Sequence, residues 1–247
     1  MTIRASLLLA LAAAVPACKG KSSDKAAAPA GSGTATATLP SASGSAPTPP
    51  PPDDAVKLPA GAAFGCLGWS ATANVAACIT GETSWTADPR YQLDLVGGSE
   101  PATRLAAKRA DSGDTFEEAA ATAANAKLAK LGVQPFSGLK EVKAGATTDL
   151  GGGASLAWTT KQTDEGGVDN TAPTNQHAIV VTCANKQTVE ILEIEEEGTE
   201  PEIEVWSVPD HAVIELITKV AREGEYRETS TAMLLELATC ELIRPPA

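Results

Sequence analysis

Among the side chains able to do chemistry, the thiols have the most informative spacing. Cys66, Cys78, Cys183 and Cys240 lie in the stretch able to fold, and a fifth, Cys18, stands apart near the start. Structural zinc sites cluster Cys and His, usually with two cysteines only about two to four residues apart. Here the nearest pair is separated by 12 positions, and His177 and His211 are the only histidines, so no metal site is expected. Four thiols then read as two disulfides. Residues 64–69 and 75–80 read as strands, and 70–74 between them are small and turn-tolerant. If Ser70 pairs with Asn74, the same register sets Cys66 opposite Cys78, and Cys183 is left for Cys240.

Carboxylates come next. Eight glutamates fall between Glu190 and Glu204, with no base among them, around a turn-like stretch at 198–201. Strands at 188–194 and 203–206 would put this cluster at a hairpin tip, where like charges are ordinarily just solvated. A second acidic loop, Asp164, Glu165 and Asp169 beside Gly166 and Gly167, has no cation-loop spacing either. Carboxylate pairs suited to glycoside hydrolysis are compatible with so acidic a chain but occupy no recognisable positions. The run G-G-G-A-S at 151–155 is neither a nucleophile elbow nor a phosphate loop, because no Gly follows Ser155 at the required spacing and no Lys follows the glycines. It reads as a strand-to-strand turn. No catalytic residue and no cofactor are assigned. Of the aromatics, Trp69, Trp158 and Trp206 fall in expected strands and read as core. Trp85 sits in the polar stretch 81–90, so it is the candidate partner-binding residue.

Two helices are marked beside these strands. Asp114 and Glu117 have capping-box spacing, 115–131 is alanine-rich, and Gly132 supplies a stop. A second helix would start near Ser207 or Asp210, aligning Val213, Leu216, Ile217 and Val220 on one face before Gly224 and placing His211 in its first turn. Residues 231–242 fit a third helix or a buried strand, with helix preferred. Further strands are expected at 91–96, 154–160 and 178–183. The expected fold class is α+β: antiparallel sheet with two or three helices on one face, arranged as two similar β-rich halves.

The first 17 residues have a cationic start at Arg4 and a run from Ala5 to Val15 that is apolar except for Ser6 and ends at Pro16. That is a signal-peptide pattern, too short for the roughly 20 residues of a membrane-spanning helix. Val15, Pro16, Ala17 and Cys18 resemble the lipobox of bacterial lipoproteins. The resemblance covers only this export segment. It implies cleavage before Cys18, a lipid on its thiol, and attachment to a membrane; Lys19 in place of Asp favours the outer membrane. From Ala26 to Pro52 every residue but Leu39 is Ala, Gly, Ser, Thr or Pro. Such a stretch lacks the apolar side chains to offset the entropy of ordering, and the 41 residues from 19 to 59 would span on the order of 35 Å as a coil. The expected organisation is a signal peptide at 1–17, a lipidated linker at 18–59 and a disulfide-stabilised globular domain at 60–247.

The chain's net charge is −12, and from residue 60 onward 28 acids oppose 14 bases. Nucleic acid is therefore not an expected partner. With an anchor, a spacer, two bridges and no reactive centre, the sequence points to a non-enzymatic binding or assembly module that meets an envelope protein. A hydrolase using dispersed carboxylates and a purely structural envelope component are the alternatives.

Overall fold

The computed structural model describes residues 55–245 apart from 112, 165–173, 198 and 223, and leaves the side chains of 164, 193, 195–197, 200 and 222 undescribed. The signal peptide, Cys18 and nearly all of the linker thus lie outside the described residues, as does most of the acidic loop after Asp164. The chain forms β1 (Gly65–Ser70), β2 (Val75–Ser84), β3 (Arg90–Val96), β4 (Thr103–Leu105), β5 (Ala107–Lys108), β6 (Thr115–Phe116) and α1 (Glu118–Leu131). It continues through β7 (Gln134–Pro135), β8 (Leu139–Val142), β9 (Thr147–Gly151), β10 (Ala154–Asp164), β11 (Thr174–Thr182) and β12 (Thr188–Glu197). The last elements are β13 (Thr199–Val208), β14 (His211–Arg222), β15 (Glu225–Glu236) and β16 (Glu241–Ile243).

This is an antiparallel β protein, which overturns the expected α+β class: α1 is the one helix among the described residues. A large sheet runs β4-β3-β2-β15-β14-β13-β8, and a second runs β12-β11-β10-β9. The two sequence halves do not form separate units, because β2 of the first pairs with β15 of the second inside the large sheet.

The expected second helix is β14. Its apolar residues do recur at helical intervals, but a strand buried on both faces is apolar throughout and satisfies that pattern as well. Ala212, Ile214 and Leu216 face the second sheet, whereas Val213 faces Trp69 and Trp206 on the other side. Four β-branched residues between 213 and 218 add strand preference. The stretch 231–242 is likewise no helix: it is the end of β15, a turn, and β16. The first helix is present but begins later than expected. Thr115 and Phe116 form β6, and Glu117 occupies the N-cap without a side-chain cap bond. Gly132 ends it in the left-handed conformation at φ 64°, and Lys130 complements the C-terminal dipole.

Three apolar clusters hold these layers together. Leu150, Leu156, Ile179 and Val181 of the second sheet pack on Val205, Ile214, Met233 and Leu235 of the large one. Ala124 and Leu128 of α1 cover Ala77 and Ile79 of β2 and Leu93 and Leu95 of β3. Val56 and Leu58, assigned to the linker by composition, join this second cluster, and the Leu58 N–H donates to Asn125 Oδ1 at 2.8 Å. The third cluster sets Ala76 and Cys78 of β2 against Val213, Ala232 and Leu234. It arises because β2 bends at Gly81, pairing with β1 over Val75–Ile79 and with β15 over Gly81–Ser84. Gly81 is required there: its φ is +136°, and a Cβ would lie 1.9 Å from the Arg90 carbonyl oxygen.

Both disulfides form, Cys66 to Cys78 and Cys183 to Cys240. The register differs from the expected one in detail. Ser70 pairs with Val75 rather than Asn74, and an irregularity at Leu67 shifts the strand by one, which returns Cys66 to its place opposite Cys78.

Candidate functional site

The far end of the β2–β15 ladder carries the most exposed large apolar side chain described. Past Ser84 the ladder gains one more bond, from the Trp85 N–H to the Tyr226 carbonyl oxygen at 3.3 Å. This brings the two rings into a stacked pair, 5.6 Å between centroids and 22° between planes. Trp85 nevertheless remains 66% exposed. Its turn is fastened from across the groove, where one Arg109 terminal nitrogen donates to the Ser84 and Ala87 carbonyl oxygens at 3.0 and 3.2 Å. Ser84 Oγ accepts from the Ala87 N–H at 3.1 Å. Arg109 also lies 3.8 Å from Asp114, and the Tyr91 hydroxyl is 3.2 Å from the same carboxylate.

These groups line a groove of about 390 Å³. Burial, and then the Asp114 carboxylate, push the Tyr91 phenol far up, while burial and the hydrogen bond to Glu228 raise Tyr226 to about 12. Both phenols stay neutral donors. Asp114 does not cap α1, as the capping-box spacing had implied; it serves this groove instead.

A second feature is a row of carboxylates across the large sheet. Glu141 of β8 pairs with Glu204 of β13, which pairs with Glu215 of β14. Burial, Glu141 and Glu202 raise Glu204. Glu215 has no exposed surface and is raised to about 7, chiefly by burial. Because solvent does not reach it, neither can a substrate. Beside this row, Glu141, Glu202, Glu204, Lys143 and Trp158 line a cavity of about 510 Å³, with Glu202 held by Lys219 at 2.6 Å.

Other expectations are relocated. The glutamates between 190 and 204 do not crown a hairpin, because β12 pairs with β11 in the second sheet and β13 with β14 and β8 in the large one. The chain changes sheets where a tip was expected. His177 is buried in β11, with its Nδ1 accepting from the Trp158 indole N–H at 3.3 Å. His211 opens β14 rather than a helix, 2.9 Å from the Pro209 carbonyl oxygen and 5.7 Å from the Trp69 ring. Gly151, Gly152 and Gly153 make the β9–β10 turn with positive φ at each. Trp69, Trp158 and Trp206 are buried. Among the described residues no group of three or more His, Cys, Asp or Glu side chains is arranged to hold a metal ion, and no helix is long and apolar enough to cross a membrane.

Sequence reasoning missed Arg109, whose partners are carbonyl oxygens distant in sequence, and Glu215, absorbed into the expected helix. A lone acid within the apolar run 212–217 was the available signal for Glu215. Neither a family model, nor a curated protein, nor a solved structure matches this chain.

Proposed function

We propose that the chain is a lipid-anchored lipoprotein of the cell envelope, attached through Cys18, whose globular domain binds another envelope component without chemical turnover. The observation that carries the binding reading is Trp85, an indole left 66% exposed on a turn that Arg109 fastens through two of its carbonyl oxygens. An exposed tryptophan on a preset surface places apolar contact where a ligand loses little ordering entropy in using it. The two disulfides are compatible with export, and the lipobox-like residues before Cys18 supply the anchor. Lys19 in place of Asp favours outer-membrane placement.

The anchor is tested by fractionation: Cys18→Ser is expected to leave the membrane fraction, and persistence there contradicts it. The binding role is tested by crosslinking in intact envelopes. Wild-type protein is expected to give an adduct that Trp85→Ala loses, and an unchanged adduct pattern would refute the role of this face.

A second reading is a hydrolase, favoured by Glu204, whose carboxyl is raised by burial and by Glu141 and Glu202 beside an open cavity. It is the weaker reading, because Glu215 is sealed from solvent and Glu202 is paired to Lys219. Hydrolysis of envelope glycans that disappears in Glu204→Gln would favour it over binding.

A further inference from the structure

We infer that the ligand of the Trp85–Tyr226 face is a neutral saccharide, an inference that rests on the binding role proposed above and names the class of ligand. The apolar component of this surface is small. Trp85 and Leu139 are the only exposed large hydrophobics among the described residues. A protein partner seals roughly 800 Å² on each side around a cluster of apolar anchors. A single indole over a polar groove fits a smaller ligand that is itself mostly polar.

The charges narrow the class further. The chain carries −12 overall, yet at the groove Arg109 opposes Asp111 and Asp114, and the Arg109–Asp114 pair at 3.8 Å cancels one of each. The carboxylates left over, Asp111 in the lining and Glu228 beside Tyr226, disfavour an anionic ligand, and two charges fall short of the extended single-sign lining that concentrates a polycation. What the groove retains is hydrogen-bond acceptors: the Asp111 carboxylate, and the phenol oxygens of Tyr91 and Tyr226, whose own O–H groups are given to Asp114 and Glu228.

A pyranose matches that combination. One face of the ring presents C–H groups that lie flat on an aromatic plane, while its hydroxyls point outward and can donate to acceptors at the rim. Tyr226 stacks on Trp85 and holds the indole in place, and the Arg109 bonds to Ser84 and Ala87 fix the backbone beneath it. The platform therefore exists before the sugar arrives.

The test uses the full-length protein in a non-glycosidic detergent, titrated with glucose and N-acetylglucosamine oligomers of both linkage configurations while tryptophan emission is followed. Trp69, Trp158 and Trp206 are buried, so a ligand-dependent shift reports Trp85. A saturable shift is expected with at least one series in the wild type; titration calorimetry, which does not depend on the indole, should then show affinity weakened about tenfold or more in Trp85→Ala and severalfold in Asp111→Asn. Unchanged thermal unfolding of both variants separates this loss from misfolding. Absence of any saturable response, or equal affinity in Trp85→Ala, would each overturn the saccharide assignment. If no oligomer binds while Trp85→Ala still loses its envelope adduct, the ligand class falls and the binding role stands.

Discussion

Glu215 accepts a 3.0 Å hydrogen bond from the Cys66 N–H, 149 residues away in sequence, and its other oxygen accepts from Ser230 Oγ at 2.8 Å. One buried carboxyl thus ties β1 to β14 and β15 at the point where β2 bends away from β15. Burial raises it from 4.5 to about 7, with Glu204 adding to the rise and the two hydrogen bonds opposing it. The folded state therefore keeps a proton that the unfolded chain has released between those values. Stability from this group is full below pH 4.5, declines as pH rises toward 7, and is level above. Between pH 5 and pH 8 the expected decline is on the order of 2–3 kcal/mol. Denaturant unfolding at pH 5 and pH 8 measures it, and Glu215→Gln should flatten the difference.

The two disulfides should contribute unequally. Cys183–Cys240 closes a separation of 57 residues and Cys66–Cys78 one of 12. Chain entropy puts their contributions at about 4 and about 3 kcal/mol. Replacing each pair by serine and measuring unfolding free energies should preserve that order.

Gly81 is the hinge of the branched sheet. Gly81→Ala forces a Cβ toward the Arg90 carbonyl oxygen in a backbone conformation that side chains rarely adopt. A loss of at least about 2 kcal/mol is expected in equilibrium unfolding. Gly113→Ala is a useful contrast, since its φ is also positive but no atom lies within 4 Å of the added Cβ.

Arg109 should matter to the Trp85 turn more than to the fold. Arg109→Ala removes both bonds to the Ser84 and Ala87 carbonyl oxygens. Amide exchange at Ala87 is expected to quicken about tenfold or more, while the buried strands β14 and β15 keep their protection.

Much of this architecture could be read from sequence where a local rule decides it. Strand positions around the Cys66 hairpin follow from alternation and turn chemistry, and Gly132 stops α1 because only a left-handed C-cap fits. The reading failed where tertiary context overrides local pattern. β14 is apolar on both faces, so spacing alone could not distinguish it from a helix. The glutamates of β12 and β13 looked like one hairpin because nothing local shows a chain leaving one sheet for another. Trp85 was identified by its polar surroundings, whereas Arg109 reaches the same turn across 25 residues.

Hydroxyl-radical footprinting of Trp85 tests the binding role most directly. The isolated protein should be readily modified at this exposed indole, and the same protein in intact envelopes should be protected severalfold there, with Leu139 modified equally in both. Equal modification of Trp85 in the two settings would contradict a ligand on this face.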